Sequence, residues 1–92
     1  MYVRLGLANP KEGMTQDALN YFRDVAIPVY DQVSGLLSAA ACINNEGQLM
    51  AWTMWANNEA KEAAMGEFQE NLAGLADLIT EPPTILEGPM VA

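Results

Sequence analysis

The residue types that usually carry chemistry are sparse in this chain, and their sparseness narrows what it can do. The 92 residues include no histidine. That removes the commonest general base, the usual haem ligand and the commonest nitrogen ligand for zinc or iron. It also excludes Ser-His and Cys-His nucleophilic catalysis. Cys42 is the single cysteine, so no internal disulfide can form, and its place in an alternating apolar run reads as a small core residue. No metal, haem or flavin is expected. The candidates for a site are aromatic, cationic and amide: Trp52 and Trp55, Tyr21 and Tyr30, Arg4, and Asn71. Which residue, if any, acts as a base stays open. These candidates can stack, hold an anion or donate hydrogen bonds.

The two tryptophans stand three residues apart in "QLMAWTMWANNEA". On a helix they would share a face; on a strand they would not. The surrounding elements decide. Tyr2 to Ala8 reads as a strand, with Tyr2, Arg4, Gly6 and Ala8 on one face and Val3, Leu5 and Leu7 on the other. Asn9 to Met14 is a loop. A helix follows, with Thr15 as its expected N-cap and Asp17 in its first turn. Its apolar stripe is Ala18, Phe22, Val25, Val29 and Val33, broadened by Leu19, Ala26 and Tyr30. Pro28 lies inside the stripe. It removes the bond to the Asp24 carbonyl and should kink the helix, which Gly35 ends.

Leu36 to Ile43 is small and apolar on both faces and reads as a buried strand. "NNEG" (Asn44–Gly47) is a hairpin turn, so Gln48 to Trp55 is the antiparallel return strand. Trp52 then shares a face with Met50 and Met54, and Trp55 with Ala51 and Thr53. Asn57 or Asn58 caps the next helix, whose inner face is Ala60, Ala63, Ala64 and Met65. A break is expected near Gly66, followed by a second helical stretch with Phe68, Leu72, Leu75 and Ile79 as its stripe. "TEPP" (Thr80–Pro83) is an extended link. Thr84 to Val91 is a last strand, with Pro89 confined to an edge or bulge.

The order β-α-β-β-α-β is the ferredoxin-like arrangement, an α+β fold with a four-stranded antiparallel sheet and helices on one face. Residues 1–92 make one domain at this length. The other sheet face carries Val3, Leu5, Leu7, Met50, Trp52 and Met54, too much apolar surface for a monomer to expose. A homodimer packed sheet against sheet is the expected remedy, with Val3, Leu5, Met50, Trp52 and Met54 at the interface.

Four basic against 12 acidic residues give a formal net charge of −8. Such a chain repels nucleic-acid backbones and anionic membrane surfaces. With 51% hydrophobic residues it is not disordered. No apolar run approaches the roughly 20 residues of a membrane helix. "MYVRLGLANP" lacks the long apolar stretch of a secretion signal, so a cytoplasmic protein is expected.

In this order and spacing the segments resemble the antibiotic-biosynthesis-monooxygenase-type domain of the dimeric α+β-barrel superfamily. The marks are "MYVRLGL" opening as a strand, "PKEG", and the helix "ALNYFRDVAIPVYDQVSGLLSA" with its Phe-Arg, its internal Pro and its closing Gly. "MWANNEAKEA" and "FQENLAGLADLITEPPTI" complete the set. The resemblance covers nearly the whole chain. It implies a pocket between sheet and helices, with Trp55 at the position of the family tryptophan. It also implies cofactor-independent oxygenation as one activity and haem degradation as another. The haem-degrading branch has an Asn and a His where this chain has Gly6 and Leu72, which argues against that chemistry. The polyketide-oxidising branch has an Asn where this chain has Ala51.

Cofactor-free oxygenation needs a substrate that is itself an electron-rich anion, while the protein supplies position, dryness and charge. The pocket candidates are Trp55 for stacking, Arg4 as the cation for a phenolate, and Gly6, Tyr21, Met65, Phe68 and Leu72 as walls. Tyr30 and Asn71 are possible donors. Each has a structural alternative: Trp55 in the core, Arg4 paired with an acid at the sheet's rim, Asn71 at the surface. Three functions stay open. They are a cofactor-independent monooxygenase of a small phenolic or quinol-like compound, a non-catalytic ligand-binding or regulatory dimer, and an isomerase- or cyclase-like enzyme of a polyketide or catabolic intermediate.

Overall fold

The computed structural model describes residues 1–71 and 73–91, apart from the side chains of residues 67–71. The elements run β1 (Tyr2–Ala8), α1 (Thr15–Tyr21), a π-helical stretch (Phe22–Ala26), α2 (Ile27–Tyr30), β2 (Leu36–Ile43) and β3 (Leu49–Trp55). They continue with α3 (Asn58–Asn71), a 3₁₀ helix (Ala73–Leu78) and β4 (Thr84–Pro89). The four strands form one antiparallel sheet in the order β2-β3-β1-β4. This is the ferredoxin-like α+β fold, with the helices on one face. Among the described residues no helix is long and apolar enough to cross a membrane.

Pairing fixes the faces. Tyr2 lies opposite Trp55, Arg4 opposite Thr53, Gly6 opposite Ala51 and Ala8 opposite Leu49. These residues face the helices, as alternation requires. Val3 opposite Met54, Leu5 opposite Trp52 and Leu7 opposite Met50 face outward. The hairpin turn is held by Asn44, whose side-chain oxygen accepts from the Glu46 and Gln48 amides at 2.9 and 3.0 Å. Gly47 completes it at φ +80°.

The first helix departs from its expected stripe. Its buried residues are Ala18, Phe22, Ala26 and Tyr30, all four apart, while Val25 is 37% exposed. The reason is the π stretch before Pro28. A π turn holds one residue more than an α turn, so the inward stripe advances by four where an α-helix would advance by three. Thr15 is the first helical residue rather than the cap. Met14 takes the cap position, without a side-chain bond. Gly35 ends the helix segment at φ +87°, and a Cβ there would stand 2.7 Å from the Cβ of Ala60. Glycine is required on both counts.

β2 is an edge strand and is not buried on both faces. Leu37 is 53% exposed at the register shift between Leu36 and Ser38, and Cys42 is exposed rather than core. β4 is the opposite edge, where Pro89 is tolerated as expected, and it ends at Pro89 rather than Val91. α3 runs through Gly66 without a break; one glycine costs only about 1 kcal/mol against alanine. Its cap is Asn57, which accepts from the Ala60 amide at 2.8 Å. Ala63 is exposed, and Lys61 takes its place on the buried face.

Two core clusters form between sheet and helices. One holds Phe22, Ala26, Tyr30, Trp55 and Ala64, with Phe22 and Tyr30 edge to face at 5.6 Å. The other holds Ala8, Ala18, Leu49 and Ile79. It is closed by the bonds Lys11 amide to Leu78 carbonyl and Thr80 amide to Asn9 carbonyl, both 2.9 Å.

Candidate functional site

A cavity of about 510 Å³ lies between the sheet and the helices, with walls drawn from both core clusters. That is within the usual range for a small-molecule site. Its floor is the helix-facing side of the sheet: Arg4, Gly6 and Ala8 of β1, Leu49, Ala51 and Thr53 of β3, and Ile85 of β4. Tyr21, Phe22, Ala26 and Tyr30 come from the first helical segment and Met65 from α3. The 3₁₀ helix and the link after it close the remaining side with Leu75, Ile79 and the segment Thr80–Pro83. Small residues make the room. A Cβ on Gly6 would reach Ile85 at 3.6 Å and the Ala51 carbonyl at 3.9 Å, so Gly6 leaves about one methyl of free depth.

Several of the expected pocket residues come together here: Arg4, Gly6, Tyr21 and Met65 all line the cavity. Trp55 does not. It is on the helix-facing side, as alternation predicts, but it has no exposed surface and sits in the core behind Thr53. Its indole N–H donates to the Thr53 hydroxyl at 2.8 Å. So buried, the ring presents no face to the cavity, and its N–H holds the Thr53 hydroxyl. Because the Thr53 oxygen already accepts from Trp55, its own hydroxyl hydrogen can be donated into the cavity. The expected roles of Phe68 and Asn71 rest on side chains outside the described residues, and Leu72 lies outside them altogether.

The polar groups concentrate at the β1 end. Tyr30 is 8% exposed, and burial pushes its phenol above the ordinary tyrosine range, opposed by the nearby Arg4 charge. The phenol therefore stays protonated at neutral pH. Arg4 unites the two readings its sequence position allowed. It lines the cavity, and its Nε faces Glu87 Oε2 at 3.4 Å. Glu87 Oε1 accepts from the Tyr2 hydroxyl at 2.9 Å and is also bonded by Lys61 Nζ. Lys61 in turn reaches Glu62 at 3.0 Å and lies 5.1 Å from the centre of the Tyr2 ring.

The bond from Lys61 is the largest influence holding the Glu87 carboxyl below the ordinary glutamate range. The same bond raises Lys61 above the ordinary lysine range. Desolvation, with the bond to Glu87, raises Tyr2. Neither Lys61 nor Glu87 stands out in the sequence, because a lone charge in an apolar helix face or edge strand reads as solvated. Strand pairing supplies a missed clue, since Glu87 lies opposite Arg4.

Gly74 is a further residue that the sequence reading missed. A Cβ there would stand 3.0 Å from the Tyr21 hydroxyl oxygen. Its bareness lets the Tyr21 ring lie against the 3₁₀ helix as a cavity wall. Among the described residues no cluster of three or more His, Cys, Asp or Glu could hold a metal.

The four-stranded antiparallel sheet with helices on one face defines a class of fold. No family model and no curated protein matches the sequence. Solved structures do match. A monooxygenase from the gene ActVA-Orf6 of Streptomyces coelicolor, in complex with nanaomycin D, superposes with a TM-score of 0.84 at 17% identity, covering 99% of this chain and 88% of that one. A mutant of SnoaB, a cofactor-independent oxygenase from Streptomyces nogalater, gives 0.80 at 13% identity over 97% and 91%. An antibiotic biosynthesis monooxygenase gives 0.78 at 14% identity over the full length of both chains. The chain has the antibiotic-biosynthesis-monooxygenase-type fold.

Proposed function

We propose that this protein is a monooxygenase that works without a cofactor on a small phenolic or quinol-like compound bound in the cavity. The observation that carries the reading is the cavity's composition: mostly apolar walls with one cation, Arg4, one acid, Glu81, and Tyr21, Tyr30, Thr53 and Thr80 as the other polar side chains. Similarity in fold to named monooxygenases, one of them in complex with nanaomycin D, supports it. The proposed chemistry uses the substrate's own electrons. Arg4 stabilises the phenolate, which passes an electron to dioxygen; the radical pair joins at the ring carbon para to the oxygen. The hydroperoxide then loses water and leaves a quinone. One oxygen atom enters the ring, and the other leaves as water with the phenol proton and the displaced ring hydrogen. The protein's share is position, a dry site and a fixed positive charge.

The test is aerobic incubation with α-naphthol under heavy-isotope dioxygen. The expected product is the para-quinone with one heavy oxygen, formed faster than in buffer and faster than with Arg4→Gln. If phenols bind but dioxygen uptake stays at the buffer rate, the second reading takes over. That reading is a ligand-binding dimer of the same fold without chemistry. It is favoured by the absence of histidine and by Ala51, which puts no polar side chain on the cavity floor.

The proposed assembly is a homodimer joined through the outer sheet face. The outward positions of the four strands are Val3, Leu5 and Leu7, Met50, Trp52 and Met54, Ser38, Ala40 and Cys42, and Thr84, Leu86 and Gly88. None is acidic or basic, although the chain carries a net charge of −8. A second copy fits because an uncharged apolar face is its own complement, whereas strongly acidic surfaces elsewhere on the chain repel one another.

A further inference from the structure

We propose that Lys61 is a specificity-determining residue of the cavity: by holding Glu87 it leaves the charge of Arg4 to an anionic aromatic ligand. This inference rests on the reading of the cavity as a ligand site, and it names what that site selects. The division of labour at the Glu87 carboxylate carries it. Oε1 takes both the Tyr2 hydroxyl and the Lys61 ammonium, while Oε2 faces Arg4 at 3.4 Å. A charge-assisted N–H···O⁻ bond is usually about 2.7–2.9 Å, so Arg4 is a neighbour of Glu87 and is not captured by it. Arg4 has no other ionic contact among the described residues.

The lysine is unusual in its own right. Its side chain is 4% exposed, on a helix whose other inward residues, among those described, are alanine and methionine. A buried ammonium is costly unless paired, and a neutral residue would pack there more easily. With Lys61 removed, Arg4 and Glu87 would form an isolated pair and their charges would cancel. With Lys61 present, two cations share one partly buried carboxylate. The other carboxylates nearby change this little. Glu62 bonds Lys61 but is 63% exposed and screened by water. Glu81, on the cavity wall, is exposed and bonded to Asn9 at 3.3 Å. The lysine thus acts through the glutamate on the arginine, without touching the ligand.

Two dyes test the point, because they share one ring frame and differ by a sulfonate: anilinonaphthalenesulfonate and phenylnaphthylamine. Fluorescence titration should show both binding the wild-type protein, and neither binding Ala51→Trp, which fills the cavity. Lys61→Met should weaken the anionic dye about tenfold and leave the neutral dye unchanged. Lys61→Arg should restore it, and so should Lys61→Met combined with Glu87→Gln. A lysine with a purely packing role would weaken both dyes together and would not be rescued by removing Glu87; either result overturns the proposal. If Lys61→Met does not fold, Glu87→Gln alone decides, since it must tighten the anionic dye and leave the neutral one unmoved. If neither dye responds to Ala51→Trp in a protein that keeps its circular dichroism, the cavity reading itself fails and this inference falls with it.

Discussion

The two faces of the sheet each carry one tryptophan, on the same strand, and their surroundings are opposites. Trp55 has no exposed surface, is covered by helices and is tied to Thr53. Trp52 is only partly covered, by its sheet neighbours Leu5 and Ala40. The inner face mixes apolar walls with a cluster of charges; the outer face has no charge at all. Aromatic identity therefore says little about role here. What covers the ring says more: Trp55 is buried beneath the helices, whereas Trp52 lies on the face proposed to meet a second copy.

The largest expected effect comes from breaking the outer face. Trp52→Asp places a carboxylate in the proposed interface, and by symmetry a second one from the other copy. An unpaired buried ion costs several kcal/mol after relaxation, so the dimer's dissociation constant should rise by at least about a thousandfold. Light scattering should change from dimer to monomer, and circular dichroism should keep the native fold. A wild-type protein that scatters as a 10.0 kDa monomer at micromolar concentration would remove the premise.

Trp55→Ala is the counterpart on the inner face. Truncating a fully buried tryptophan costs about 3–5 kcal/mol, and here it also strips Thr53 of its bonded partner. Most of the stability of a domain this size would go. The expected signature is a lower denaturant midpoint with the dimer intact at low denaturant. If Trp55→Ala dissociates the dimer while Trp52→Asp merely loosens the fold, the two faces have been given each other's roles.

The sequence made the alternation on β1 and β3 legible, because a two-residue period is independent of what later covers each face. The hairpin at Asn44–Gly47 and the helix end at Gly35 were legible too, since positive φ and an Asn-rich turn leave a local signature. Two kinds of feature were not. The π turn before Pro28 changed the stripe from Val25 to Ala26, and no local composition rule separates a proline kink from a proline-linked π turn. The charge cluster around Arg4 was hidden differently. Glu87 and Lys61 are 26 residues apart and meet only through the packing of α3 against the sheet. Single-sequence periodicity cannot pair them, and it treats any isolated charge as solvated. The placement of Trp55 fell between these cases: its face could be read, but its depth could not.

The smallest expected effect sharpens the same contrast through pH. Glu87 has its folded-state pKa lowered, so its ionised form is favoured on folding. Its contribution to stability is complete above the ordinary glutamate pKa of about 4.3 and is lost as pH falls through the lowered value. Lys61, raised on folding, contributes fully below the ordinary lysine pKa of about 10.4 and loses its contribution as pH climbs through the raised one. Between those limits Glu87→Gln should cost on the order of 1–2 kcal/mol, intermediate between an exposed and a buried pair because Glu87 is 30% exposed and Lys61 nearly covered. Thermal unfolding of wild type and Glu87→Gln, at equal protomer concentration, should therefore run parallel across neutral pH and converge in acid. The outer face has no carboxylate among its strand positions, so the dimer dissociation constant should stay level through that acid limb. If it rises in step with the loss of stability, the charges of the inner face reach the interface and the two faces are not independent. If the two unfolding curves stay parallel below the glutamate range, Glu87 is not held by Lys61 in solution.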